Sequence, residues 1–244
     1  MKKILEKLLD DNEYYNGVGK NYLSNSDIGT LLRNPKEFGV SRPDTKEFAV
    51  GRFFHQLILE PEKAKQFPVV DVATRNNKAY REFVAEQKIE IALLQKEVDD
   101  VHSWVSAINS NIIFFDELYS PDNQYEVPMI KEIKGLMWKG KADILGQNQI
   151  IDLKSSSNIN DFKRKATLYN YDSQCYIYQC LFDRPLVFYV VDKLTQMVGM
   201  FEPEQSFIDR GEEKVEKAIE IYQKFYGDNP TEDIENYFIY DKLI

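Results

Sequence analysis

The stretch GKADILGQNQIIDLKSS, residues 140–156, puts Asp143, Asp152 and Lys154 into two short apolar segments joined by a polar turn. If Gln147-Asn148 is a two-residue hairpin turn, the register sets Asp143 directly opposite Asp152. Side chains alternate faces along a strand, so Asp152 and Lys154 project to the side of Asp143, and Ile151 and Leu153 point away. Like charges facing each other across a sheet destabilise it unless something cationic lies between them. A divalent metal ion and the ammonium of Lys154 would serve. Mg²⁺ favours carboxylate oxygens and keeps several waters. It can polarise a phosphoryl oxygen and acidify a water, and a lysine held beside it can orient that water or steady charge developing on phosphate. The pattern therefore points to phosphodiester cleavage. D-x-K alone is common on surface strands, and the hairpin partner Asp143 is what makes it informative.

The elements that must carry this set are legible from periodicity. From Gln124 to Lys154 apolar residues recur every second position, which predicts three strands, YEVPMIKEI, LMWKGKADIL and QIIDLKS. A helix around YDSQCYIYQCLF follows, then strands in LVFYVVDK and QMVGMFEP, then an amphipathic helix closed by Gly227. Upstream, Ser24 or Ser26 caps a helix that stops near Pro35, and Phe53, Phe54, Leu57 and Ile58 mark another that ends close to Pro61. Tyr80, Val84, Gln87, Ile91, Leu94, Val98, Val101, Val105 and Ile108 form a heptad seam. It predicts one long helix, with a break only near Asp99-Asp100, packed on the core or on a second subunit. The expected fold is a single α/β domain over residues 1–244, with a central mixed β-sheet flanked by helices. Residues 1–115 make a helical part, and residues 116–244 carry the catalytic sheet and its flanking helices.

The ordered set around the hairpin resembles the PD-(D/E)XK nuclease superfamily with its restriction-endonuclease-like core. The likeness is to the RecB-like branch and especially to RecE-type and lambda-type phage exonucleases. The carriers are Gly51 and His55 in GRFFH with the following LILEP, Glu126 in YEVP, the hairpin trio, and Gln174 and Tyr178 in QCYIY. LSNSDIGTLLRNPKEF looks like the family's opening helix. The likeness runs from about Tyr22 to about Lys193; the superfamily's eponymous proline is absent, as it often is in this branch. It implies a Mg²⁺ site, with Mn²⁺ equally suited, built from His55, Asp143, Asp152 and the Leu153 carbonyl. It further implies catalytic roles for Lys154, Glu126, Gln174 and Tyr178, and DNA contacts from Ser26 and Arg33. FKRKATLYNY adds Lys163, Arg164 and Lys165 as candidate phosphate contacts just beyond the catalytic strand. The implied activity is 5′-to-3′ exonuclease action on double-stranded DNA in phage-type recombination. A ring-shaped homo-oligomer and a single-strand annealing protein are the implied partners.

Composition sets bounds on these readings. The 43% hydrophobic and 29% charged residues suit a soluble globular chain, and 15 Tyr and 15 Phe argue against disorder. A net charge of −9 counts against nucleic-acid binding unless a local basic groove exists. Two cysteines, Cys175 and Cys180, suit neither a disulfide framework nor zinc, and exclude an iron–sulfur cluster, which takes four thiolates. MKKILEKLLDD lacks the apolar core of a signal peptide, so a cytoplasmic protein is expected, the host's cytoplasm if a phage encodes it, with no membrane association. His102 carries no motif and reads as structural. Two alternatives remain open: a RecB-like or restriction-type nuclease cutting internally or on single strands, and a catalytically silent DNA-binding module.

Overall fold

The computed structural model describes residues 1–41 and 43–240. The helices α1 (Lys2–Lys7), α2 (Asp11–Tyr15), α3 (Asn25–Arg33), α4 (Lys46–Leu59), α5 (Pro61–Ala64), α6 (Lys78–Gln87), α7 (Gln95–Ser110) and α8 (Ile112–Leu118) fill the N-terminal half. Two short strands lie among them, β1 (Val69–Val70) and β2 (Leu93–Leu94), paired in parallel. The second half runs β3 (Gln124–Ile133), β4 (Leu136–Leu145), β5 (Ile150–Ser156), α9 (Phe162–Leu168), α10 (Tyr171–Phe182), β6 (Leu186–Asp192), β7 (Val198–Phe201) and α11 (Gln205–Phe225).

Strands β3 to β7 form one mixed sheet in sequence order. Within this sheet, among the described residues, only β5 and β6 pair in parallel, and the crossover between them is α9–α10, because a parallel pair needs a long connection. Every residue of β6 is buried, as expected of a strand covered on both faces. One face carries α3, α9, α10 and α11 on a core that includes Trp138, Ala142, Ile150, Phe188 and Val190. The other carries α4, α7 and α8 on Ile144, Ile151, Leu153, Tyr189 and Val191. No described helix is long and apolar enough to cross a membrane.

The single helix expected over 80–108 is two helices. Lys88 ends α6 in the left-handed region (φ 54°), and its N–H and that of Ile89 close the helix onto Val84 O. The intervening Leu93–Leu94 pairs with Val69–Val70 instead, while the Tyr80 hydroxyl bonds both the N–H and the carbonyl of Ala92 at 3.0 Å. Tertiary pairing therefore overrides a seam that helical periodicity alone would join. Asp99-Asp100 lies unbroken within α7. Val98, Val101 and Ile108 face the core of this chain, so the seam is used internally.

Candidate active site

The turn forms as the hairpin register requires. Ile144 pairs with Ile151 and Leu145 with Ile150, and Gly146 N–H donates to Gln149 O across Gln147-Asn148. The ladder then stops, and Asp143 and Asp152 do not form the pair the register predicts. The reason lies one strand over. Glu126 has φ 51°, a left-handed conformation that costs a non-glycine residue about 1–2 kcal/mol. Its neighbours Tyr125 and Val127 pair with Ile144 and Ala142, so Glu126 stands across from Asp143. Side-chain alternation reverses there: Tyr125 and Ile144 pack with the α4 face, whereas Val127 and Ala142 pack with the α10 face. Two adjacent strands thus kink at two facing carboxylates, and β4 peels away from β5.

The opened backbone groups become the site. Asp143 Oδ2 accepts the Leu153 N–H at 2.8 Å, in place of a strand carbonyl. The Leu153 carbonyl meets His55 Nε2 at 3.0 Å, and the same nitrogen lies 3.1 Å from Asp143 Oδ2. His55 comes from α4, and its Nδ1 donates to Gly51 O at 2.9 Å, one turn back. A Cβ added at Gly51 would meet nothing within 4 Å, so there is open space one turn before the histidine. On the other side, Gln174 Nε2 of α10 donates to Asp152 Oδ1 at 2.6 Å. Asp152 Oδ2 ion-pairs with Lys154 but is otherwise a buried oxygen without a hydrogen bond.

Electrostatics follow from burial and these pairs. Desolvation opposes a charge on His55, but the adjoining Asp143 carboxylate outweighs it and raises the imidazole to about 9. Burial likewise pushes Asp143 upward, and the His55 and Lys154 charges reverse that, leaving it below the usual carboxylate range. Asp152 goes the other way: desolvation, helped by the charge of Asp143, exceeds the pull of Lys154. Lys154 is raised above its ordinary value, desolvation being outweighed chiefly by Asp152. Glu126 is pushed up to about 7 by desolvation and by Asp143. Two neighbouring groups with displaced proton affinities are a feature of catalytic centres.

Among the described residues, no three His, Cys, Asp or Glu side chains form a ready cage for a metal ion. The donor chemistry nonetheless fits one. Asp152 Oδ2, which has only the Lys154 ion pair, the Asp143 carboxylate, the Leu153 carbonyl and, once deprotonated, His55 Nε2 make a mostly oxygen donor set suited to Mg²⁺ or Mn²⁺. The imidazolium proton bridges two of them and stands where a cation would be stabilised.

The remaining expected site residues divide. Gln174 bonds Asp152 rather than the lysine, and its Ala variant should cost roughly 10- to 100-fold in activity or metal affinity, as loss of a ligand's supporting hydrogen bond does. Steady-state rates titrated with Mg²⁺ would check this. Tyr178 does not bond either aspartate: its hydroxyl donates to Lys141 O at 3.0 Å and its ring covers Gly140, which makes it a clamp on β4. Ser24, with Asp27, forms the α3 capping box, and Ser26 is exposed, bonded to Ser24 Oγ at 2.9 Å. Asn25 reaches Asn170 O at 3.1 Å, bringing Ser26 near the α9–α10 junction. Arg33 lies at the opposite end of α3, just before the segment whose Phe38 packs on Tyr222 of α11 and on Tyr226 just past its end. Lys163 is exposed, Arg164 is held bidentately by Asp161 (2.9 and 2.7 Å), and Lys165 reaches Ser157 Oγ at 2.8 Å, just past Lys154.

Sequence reasoning missed Lys141 and Tyr171. Lys141, nearly buried, lies 3.3 Å from Glu126 and also pairs with Asp11 of α2. Its position two residues before Asp143, on the same strand, was the available signal. The Tyr171 ring centroid lies 4.9 Å from Lys154 Nζ. Because burial and the charge of Asp143 outweigh the nearby Lys141 and His55 charges at Glu126, Glu126→Gln should stabilise the metal-free protein. An acid whose folded pKa is raised loses stability as pH climbs from its unfolded value near 4.5 through about 7. The variant's gain, on the order of 1 kcal/mol, should therefore be present at pH 8 and vanish near pH 4. Thermal melts in EDTA at the two pH values would show it.

The fold is similar to that of a protein from Eubacterium rectale described as a candidate exonuclease, with a TM-score of 0.62 at 16% identity, covering 96% of this chain and 95% of that chain. A phage-related exonuclease from Haemophilus somnus 129PT matches at 14% identity and a TM-score of 0.36, over 83% of this chain and 94% of that chain. No curated protein gives a significant match. Residues 34–230 match the family described as a PDDEXK-like domain of unknown function (DUF3799), and the opened hairpin and all its predicted ligands lie inside that span. The chain belongs to this family, and through it to the PD-(D/E)XK superfamily.

Proposed function

We propose that the protein is a Mg²⁺-dependent deoxyribonuclease, acting as a 5′-to-3′ exonuclease on double-stranded DNA in phage-type recombination by single-strand annealing. The observation that carries this is the parted hairpin. Asp143 and the Leu153 carbonyl share the His55 ring, and Asp152, whose Oδ2 has only the Lys154 ion pair, lies within electrostatic reach of Asp143. The Eubacterium rectale fold match is consistent with the reading. Asp143, Asp152, the Leu153 carbonyl and His55 would hold Mg²⁺ or Mn²⁺, which when bound polarises the scissile phosphate and acidifies a water.

The chain's own groups do the rest. Lys154, charged throughout the neutral range, faces the phosphate and stabilises the charge that builds on it, or orients the attacking water. Gln174 fixes the Asp152 carboxylate. Glu126, near 7, is poised to exchange a proton at neutral pH. Lys163, Arg164 and Lys165 supply phosphate contacts on the Lys154 side, with Ser26 nearby, and Arg33 contacts DNA farther along α3. A ring of subunits and a single-strand annealing partner belong to the same reading.

The experiment is incubation with Mg²⁺ and either end-labelled linear duplex or a covalently closed circle. Release of mononucleotides from linear DNA alone is expected. Cutting of the circle would instead identify an endonuclease, and inertness toward both would identify a silent binding module.

A further inference from the structure

Leu168 and Tyr169, at the junction of α9 and α10, keep 61% and 57% of their surface exposed. Single exposed apolar residues are ordinary, but this pair rides on clamped backbone. The Asn170 carbonyl accepts from Asn25 Nδ2 at 3.1 Å and from Ser173 Oγ at 3.0 Å. Lys214 Nζ gathers Thr167 O, Asn170 Oδ1 and the fully buried Asp172, each at 2.9 Å. Tyr169 N–H itself donates to Lys165 O. A ring presented on such a loop has little ordering entropy left to lose on contact with a ligand.

The ring is also aligned with the site. Its centroid lies 6.1 Å from that of Tyr171, whose own centroid lies 4.9 Å from Lys154 Nζ. Two ring contacts therefore lead from the lysine to the surface, and Lys163, Arg164 and Lys165 lie on α9, the helix that Tyr169 caps. Aromatic faces beside a basic track are how single-stranded nucleic acid is held.

We infer that Tyr169, supported by Leu168, stacks on an unpaired nucleobase of the DNA strand whose phosphate lies at Lys154. This rests on the nuclease reading above. The site takes a frayed or single-stranded end, because a base locked inside a duplex offers the ring no free face.

The test is fluorescence anisotropy in EDTA, which prevents cleavage, with a labelled short oligothymidylate and a blunt duplex of equal length. Tyr169→Ala should weaken oligothymidylate binding about tenfold, and Tyr169→Phe should bind as the native protein does. The loss should persist as salt rises, since stacking releases no counterions, whereas Lys163→Ala should flatten the salt slope. If Tyr169→Ala lowers the thermal midpoint, Tyr169→Leu, which keeps apolar area without a ring face, decides in its place. Oligothymidylate binding that is as tight in Tyr169→Ala, or in Tyr169→Leu where that variant decides, as in native protein overturns the inference and leaves the nuclease reading standing. Native protein that binds neither probe overturns both.

Discussion

Lys154→Ala should lower DNA cleavage at least about a thousandfold while leaving divalent-ion binding intact or tighter. In the native chain the ammonium is only 18% exposed and is the direct partner of Asp152, whose side chain is 4% exposed. On the nuclease reading proposed above, removing it takes away the charge placed against the developing phosphate. It also leaves the Asp152 carboxylate buried beside Asp143 with nothing cationic on its side except the His55 imidazolium. Breaking one half of a buried ion pair typically costs about 3–5 kcal/mol, so the metal-free variant should melt at a lower temperature. Added Mg²⁺ or Mn²⁺ should restore much of that loss, because a cation answers the same uncompensated charge. A variant that keeps full activity would contradict the role of Lys154; one that is inactive and also insensitive to divalent ions in melting would contradict the shared use of Asp152.

Asp152→Asn should act in the opposite sense, losing divalent-ion affinity by at least about a hundredfold and losing cleavage with it. Weakening a group behind a ligand costs 10- to 100-fold, so replacing the ligand's own charged oxygen should cost no less. The substituted amide can still accept from Gln174, which keeps the fold in place. The measurement is calorimetric titration with Mn²⁺, repeated across pH. In native protein the ion must displace the proton that His55 holds up to about 9, between Leu153 O and Asp143 Oδ2. Apparent affinity should therefore rise by close to tenfold per pH unit until about pH 9, then level off. The same proton stabilises the metal-free fold. With the folded pKa raised above 6.5, that contribution is complete below about pH 6.5 and is lost as pH climbs through about 9.

Much of this centre could be read before any coordinates. The hairpin turn at Gln147-Asn148 and the Ile144–Ile151 register follow from two-residue turn geometry, and both form. The acidic pair, Lys154 and the His55 helix come together because each rests on an element with a strong periodic signal. What could not be read was the interruption of that periodicity. The left-handed Glu126 and the reversal of side-chain alternation at Asp143 are tertiary compromises, set by two facing carboxylates and by α4 pressing His55 into the gap. Strand alternation alone extends the ladder through Asp143 and Asp152 and misses that the backbone of Leu153 is freed to serve the site. The break after Lys88 was hidden for a related reason, since Leu94 satisfies a helical stripe and a strand pairing equally well. Tyr178 shows the converse, a residue at a motif spacing whose hydroxyl fastens a strand instead of facing the acids.

Anomalous scattering from a crystal grown or soaked with Mn²⁺ would address the core of the account. A single strong peak touching one oxygen of each aspartate, the Leu153 carbonyl and the His55 ring is the predicted result. Its absence at saturating Mn²⁺, or a peak bound only elsewhere on the surface, would show that the parted hairpin is not a cation site and that Lys154 has no phosphate chemistry to serve.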